Sequence, residues 1–224
     1  MQIVHVGPGV MGGDRLSLAL DVESGAQAVV VAQSATKLHA MDDGAHAEQV
    51  IRVRVAAGAS LELHPGLTIP FARSAYRQRI EVDLAPGARF VLIERWARGR
   101  VARGEQHAYR HAESRLHVRV SGRLAYADAL VLDPAVAHLP GVFEGRAYLA
   151  TGVAFGVPAS APHPPLAAPG ADPALALIDL GEDRSAVRAL GHDGVALQRA
   201  LTRQVDAWRS ADGRPPLALA RFGS

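Results

Sequence analysis

Through residue 132 the chain alternates apolar and polar side chains with a period of two, and a recurring glycine turn punctuates the alternation. Leu16, Leu18, Leu20 and Val22 alternate with Ser17, Ala19 and Asp21, and Val53 and Val55 with Arg52 and Arg54. Ile80, Val82 and Leu84 alternate with Glu81 and Asp83, and Leu116, Val118 and Val120 with His117, Arg119 and Ser121. Each row puts its apolar side chains on one face, which is the signature of a half-buried strand. The turns are alike. Gly25-Ala26, Gly58-Ala59 and Gly87-Ala88 each precede a second apolar strand, and Gly122 stands in a weaker fourth copy. Glycine supplies a positive φ in such a turn without steric cost. Glycine spacings of 33, 29 and 35 residues predict stacked β layers around one continuous core. A β-sandwich with similar hairpins fits the same pattern. The expected fold is all-β, with a β-helical or stacked-layer architecture.

The end of the chain changes character. Residues 156–173 hold six prolines and read as a loop, because proline cannot donate in a β ladder. Two short apolar runs follow, Leu175 to Leu180 and Ala186 to Leu190. Leu197, Leu201, Val205 and Trp208 then recur at spacings of four, four and three, which predicts a C-terminal α-helix over 193–210. Asp193 is its expected N-cap and Gly213 its stop. Too little chain follows the proline-rich loop to build a second core, so residues 1–224 are expected to form one domain.

Composition narrows the chemistry. There are 24 basic residues, all arginine except Lys37, against 22 acidic ones, for a net charge of +2. That balance excludes a polycation devoted to phosphate neutralisation, and no nucleic-acid partner is expected. The absence of cysteine excludes disulfides, thiolate metal sites and a cysteine nucleophile. Any metal must be held by histidine, carboxylate, carbonyl or water. Residues 1–15 lack the basic and apolar regions of a signal peptide, and no run approaches the ~18 apolar residues of a membrane span. A cytoplasmic location without membrane attachment is the expectation.

Several motifs tempt. Gly7-Pro8-Gly9-Val10-Met11-Gly12 matches a dinucleotide fingerprint literally, but a strand pattern follows it where the fingerprint needs a helix. A glycine-rich turn with a close backbone approach is the better reading. His107 and His111 lie four apart with Glu105 nearby, and His64 ends an apolar strand before Pro65. Each is read as an ordinary histidine, with His64 a weak metal candidate. Glu62, Glu94 and Asp128 stand where the pattern expects apolar residues. Period two points Glu62 and Asp128 outward. A carboxylate that points inward must be paired, hydrated or protonated, and rows of such groups can line a wet internal path. There is no phosphate-binding lysine loop, no nucleophile elbow and no recognisable pair of catalytic carboxylates.

Four segments together resemble the UreD (also UreH) family of urease accessory proteins. They are Gly9-Val10-Met11-Gly12-Gly13-Asp14-Arg15-Leu16, then Gln33-Ser34-Ala35-Thr36-Lys37-Leu38, then the set Leu61 to Pro65, Ile69-Pro70-Phe71, Glu94, Gly99-Arg100 and Gly104-Glu105, and last Val187 to Gly191. Their order and spacing agree over most of residues 7–209. The family usually carries several dozen residues before the Gly-Gly-Asp stretch. Only six precede Gly7 here, so the resemblance is to a compact variant lacking the usual N-terminal segment. The resemblance implies a β-helical scaffold and not an enzyme. It implies a hetero-oligomer with UreF, the GTPase UreG and apo-urease, which helps deliver nickel through an internal tunnel. No cofactor is held permanently; nickel is in transit. By position, Asp14, Thr36, Glu94 and Asp128 match places near that route. The alternative is a β-helical enzyme acting on a carbohydrate or small acid through Glu94, Glu105 and Asp128. A scaffold of the iron–sulfur assembly type is a third possibility, against which the lack of cysteine counts.

Overall fold

A computed structural model describes residues 1–139, 141–158, 170–181 and 183–217. In chain order the strands are β1 (Gln2–Ile3), β2 (Arg15–Val22), β3 (Gln27–Ala32), β4 (Thr36–Leu38), β5 (Ala47–Val55), β6 (Ser60–His64), β7 (Leu67–Pro70), β8 (Ala75–Leu84), β9 (Arg89–Ala97), β10 (His111–Val120), β11 (Arg123–Leu132), β12 (Tyr148–Phe155), β13 (Ala174–Gly181) and β14 (Arg184–Gly191). A helix, α1 (Gly194–Ala211), follows, and a short 3-10 turn occupies Val101–Arg103.

The strands form two facing sheets in a β-solenoid-like stack. One sheet runs β11-β10-β8-β5-β2, and the other runs β1-β3-β6-β9-β12-β14-β13 with β4 and β7 attached beside β9. From β2 to β10 the chain rises in rungs. Each rung leaves the first sheet at a glycine turn, crosses to the second, and returns one strand further along. The pairings β2–β5, β5–β8 and β8–β10 are parallel and in register, with Leu16 beside Gln49, Ala47 beside Tyr76 and Ala75 beside His111. The turn glycines Gly25, Gly58 and Gly87 have φ of 75°, 70° and 71°, as their place in the repeat predicts. Gly122 departs from the expected pattern. Ser121 and Gly122 both have positive φ, which closes a tight hairpin, and β11 returns antiparallel to β10 instead of crossing between sheets. The repeat therefore ends there, and β12 to β14 extend the second sheet with antiparallel strands.

The proline-rich loop expected over 156–173 falls partly outside the described residues. Those of it that are described, 156–158 and 170–173, contain no strand or helix. Helix α1 lies within one residue of its expected span, and the Asp193 carboxylate caps it by accepting from the Ala196 amide at 2.6 Å. Its stripe of Leu197, Leu201, Val205 and Trp208 is buried on the outer face of the second sheet, against Val91, Ile93, Ala150 and Val187. Burying such side chains stabilises by about 1.5–3 kcal/mol each. That cover explains why β9 and β12 read as nearly continuous apolar runs: they are buried on both faces.

Between the sheets the core is divided. One apolar cluster, around Ile51, Val53, Leu61, Ile80, Phe90 and Val118, lies toward the glycine turns. A second, around Leu38, Tyr76, Trp96, Tyr109 and Phe143, lies toward the other end of the strands. Glycine at 152, in β12, has no room for a side chain: a Cβ would stand 2.6 Å from the Leu92 carbonyl and 2.4 Å from Ile93 Cδ1. Gly152→Ala should force β9 and β12 apart and cost about 1–3 kcal/mol, read as a lower urea midpoint with unchanged slope.

Candidate functional site

The two apolar clusters are separated by a polar layer, and stacking in register builds it. In the first sheet Gln49, Gln78 and Ser114 are neighbours on β5, β8 and β10. In the second sheet Glu94, Thr151 and Arg188 are neighbours on β9, β12 and β14. The two rows meet inside. Gln78 Nε2 donates to Glu94 Oε1 at 2.6 Å and to Ser114 Oγ at 3.0 Å, and Ser114 Oγ lies 3.0 Å and 3.2 Å from the two Glu94 oxygens. The Tyr76 hydroxyl donates to Gln49 Oε1 at 2.5 Å and stands 3.2 Å from Gln78 Oε1. At the far side Arg188 donates to Asp128 Oδ1 at 2.5 Å.

The layer spans the fold from cleft to cleft. Glu94, Gln78 and Gln49 line a cleft of about 410 Å³ whose mouth holds Thr36, Thr68 and Lys37 and is edged by residues 3–10. Arg188 lines a second cleft, of about 650 Å³, with Leu130, Val131, Leu149 and Leu175. A larger cleft of about 890 Å³ lies between α1 and the loops at 32–35 and 66–67. Its one acidic lining residue is Asp193, already used as the helix cap. The acid–base chemistry of the fold lies in the polar layer instead.

Glu94 is the buried carboxyl of that layer, only 5% exposed. Burial penalises its charge and pushes its pKa up to about 7, with Asp128 nearby adding to the rise and the Ser114 and Gln78 donors opposing it. It can therefore gain or release a proton near neutral pH.

The structure sorts the residues expected from the sequence. Thr36 and Glu94 line one cleft, and Asp128, which lines neither cleft, reaches the layer through Arg188. Asp14 stands apart, just before β2, where its carboxylate accepts from the Met11 amide at 2.9 Å and lines none of these clefts. Asp128 does not face outward as period two suggests; its side chain is 17% exposed and turned toward Arg188. Glu62 does lie opposite Leu61 and Leu63, yet it is fully buried, because α1 and the segment after it cover that face. Arg209 donates to Glu62 Oε1 at 2.5 Å, and His64 Nε2 lies 3.9 Å from Oε2. Burial opposes the Glu62 charge, but His64 and Arg209 outweigh it and hold the carboxyl below the usual range. His64 thus serves the helix dock on the outer face and is not part of the inner layer. His107 contacts Tyr109 while His111 pairs with Glu113, so the two histidines do not converge. Glu105 is tied to Arg100 and the Ala72 amide, away from Glu94. Among the described residues no three histidine or acidic side chains cluster to hold a metal. The glycine-rich turn does make the close approach: a Cβ at Gly9 would lie 2.5 Å from the Lys37 carbonyl.

Sequence reasoning missed Gln49, Gln78, Ser114, Thr151 and Arg188. A signal was present. Gln49, Gln78 and Ser114 are separated by 29 and 36 residues, which are the register offsets of their strands.

These features define a β-solenoid-like protein with an internal polar layer. Comparison with known proteins gives the family. The model of the UreD urease accessory protein family matches residues 1–222. The urease accessory protein UreD of Deinococcus radiodurans is 35% identical over 173 residues, covering 75% of this chain and 62% of that protein. UreD 1 of a Synechococcus species is 38% identical over 155 residues, covering 68% and 57%, and UreD of an Anaeromyxobacter species is 39% identical over 155 residues, covering 67% and 50%. The chain belongs to the UreD urease accessory protein family. It spans about half to three-fifths of the length of these curated relatives.

Two expectations follow. A carboxyl whose pKa is raised by folding favours the native state most below its unfolded pKa, about 4.5, and that contribution is lost as pH rises through 7. Wild-type protein should lose up to about 3 kcal/mol over this window relative to Glu94→Gln, measured by urea unfolding at pH 5 and pH 8. Glu62→Ala should leave Arg209 buried without its partner and cost about 3–5 kcal/mol at pH 7, read by the same unfolding assay.

Proposed function

We propose that this chain acts in the maturation of urease as a cytoplasmic scaffold and not as an enzyme. In this reading it assembles with UreF, the GTPase UreG and apo-urease, and its polar layer conducts nickel toward urease as cargo. Family membership supports the maturation role. The observation that carries the conduction role is the row of buried Glu94 and Thr151 and half-exposed Arg188, whose two ends line the two clefts. A dry β core has no structural need for a carboxyl here, since an apolar side chain of similar size avoids the desolvation cost.

The chemistry suits passage. Carboxylate, hydroxyl and amide oxygens hold a late divalent metal more weakly than thiolate or clustered imidazole does. Thr36 and Thr68 at the mouth, with Gln49 and Gln78 behind them, offer such oxygens in sequence. Glu94 then supplies the negative charge, releasing its proton as the cation arrives. The clefts at the two ends let the cation enter and leave without opening the strand ladders.

The test is complementation of a urease-positive host deleted for its own UreD, using this chain with its cognate UreF, UreG and urease. Nickel per urease active site should fall about tenfold or more for Glu94→Gln against wild type, at equal soluble expression. Full nickel loading with Glu94→Gln would overturn the conduction role, and apo-urease with the wild-type chain would overturn the maturation role.

A further inference from the structure

We propose that the Arg188 guanidinium is a place-holding cation at the far end of the polar layer, and that a divalent cation leaves the layer by displacing it from Asp128. The inference rests on the conduction reading above, and its test separates the two.

Three observations carry it. First, Arg188 closes the row: it stands beside Thr151, which stands beside Glu94, and it donates to Asp128 at 2.5 Å. While the guanidinium holds Asp128 Oδ1, its positive charge opposes the approach of a second cation to that carboxylate. Second, exposure is graded along the path. The side chains of Asp128 and Arg188 are 17% and 39% exposed, and Arg188 lines the 650 Å³ cleft. The carboxylate is fixed inside, and the long arginine stem has open space into which to withdraw. Third, the two carboxyls stand without a third acidic or histidine ligand among the described residues, so nothing converts the site into a trap.

At rest the Asp128 carboxylate and the Arg188 guanidinium cancel. When a divalent cation arrives, Arg188 swings into the second cleft and leaves the Asp128 carboxylate to the cation. A monovalent cation offers Asp128 only the single charge that Arg188 already supplies, so it gains nothing by displacing it. Arg188 thereby selects for divalent charge and resets the site once the cation has gone.

The experiment is isothermal titration of nickel chloride into the full chain at pH 7.5. Arg188→Gln should bind nickel about tenfold tighter than wild type, because the competing charge is gone. Arg188→Lys, which keeps that charge, should stay near wild type. The double variant Asp128→Asn with Arg188→Gln should lose the gain, since its target carboxylate is missing. Matched far-UV circular dichroism and urea midpoints across the variants exclude a gain from histidines freed by unfolding, and surface pairs such as His46–Glu48 contribute equally to every folded variant. Arg188→Gln binding no tighter than wild type would overturn the place-holder. If Glu94→Gln then still fails to load urease in cells, the passage stands and only the role of Arg188 is lost.

Discussion

Parallel stacking in register is the constraint on which the rest of this structure depends. When β2, β5, β8 and β10 lie side by side with matched residues, each position along one strand becomes a row across the sheet. Where successive strands repeat the same polarity, that position becomes a polar or an apolar row, and the polar row of the first sheet is flanked by Leu16 and Leu130. Gln49, Gln78 and Ser114 form such a row, and Glu94 with Thr151 and Arg188 forms the row opposite. A single polar residue in a core is a local defect that needs a local partner. Two facing polar rows partner one another and extend through the fold.

The two buried acidic centres show opposite solutions to one problem. Glu62 is ionised and held by Arg209 of α1, with His64 and Arg214 close by, so it joins the helix to the sheet. Arg89 and Arg214 extend that dock through Asp212, and Arg214 also reaches Ser60. Glu94 has only neutral donors in direct contact, and its charge is left poorly compensated. The first arrangement is rigid and structural. The second leaves a carboxyl able to change its proton state without breaking the fold. The difference lies in neighbours and not in residue type, since both are glutamates on the second sheet.

Much of the fold was legible in the sequence for local reasons. Alternation identifies strands because side chains of a strand point to opposite faces, and the turn glycines mark the rung corners. The helix was legible from one stripe and one cap. What misled was the assumption that the face opposite the core is solvent. For Glu62 that face is covered by α1, more than a hundred residues away in sequence, and for Asp128 the inward direction follows from how β11 turns back on β10. Gly122 looked like another rung corner because a hairpin and a crossing both use a positive-φ glycine.

The sequence by itself determined the strand periodicity, the repeat, the terminal helix and, through ordered short motifs, the family. Each is written in spacing along the chain, which the backbone converts directly into faces and turns. Only the tertiary structure decided that Thr36 and Glu94 line one cleft, that Asp128 reaches the polar layer through Arg188, and that Asp14 and His64 lie outside it. That decision depends on which rows of two separate sheets are placed opposite one another. Sheet-to-sheet apposition is set by packing of the apolar clusters on either side, a property of the whole core that no short stretch of sequence encodes.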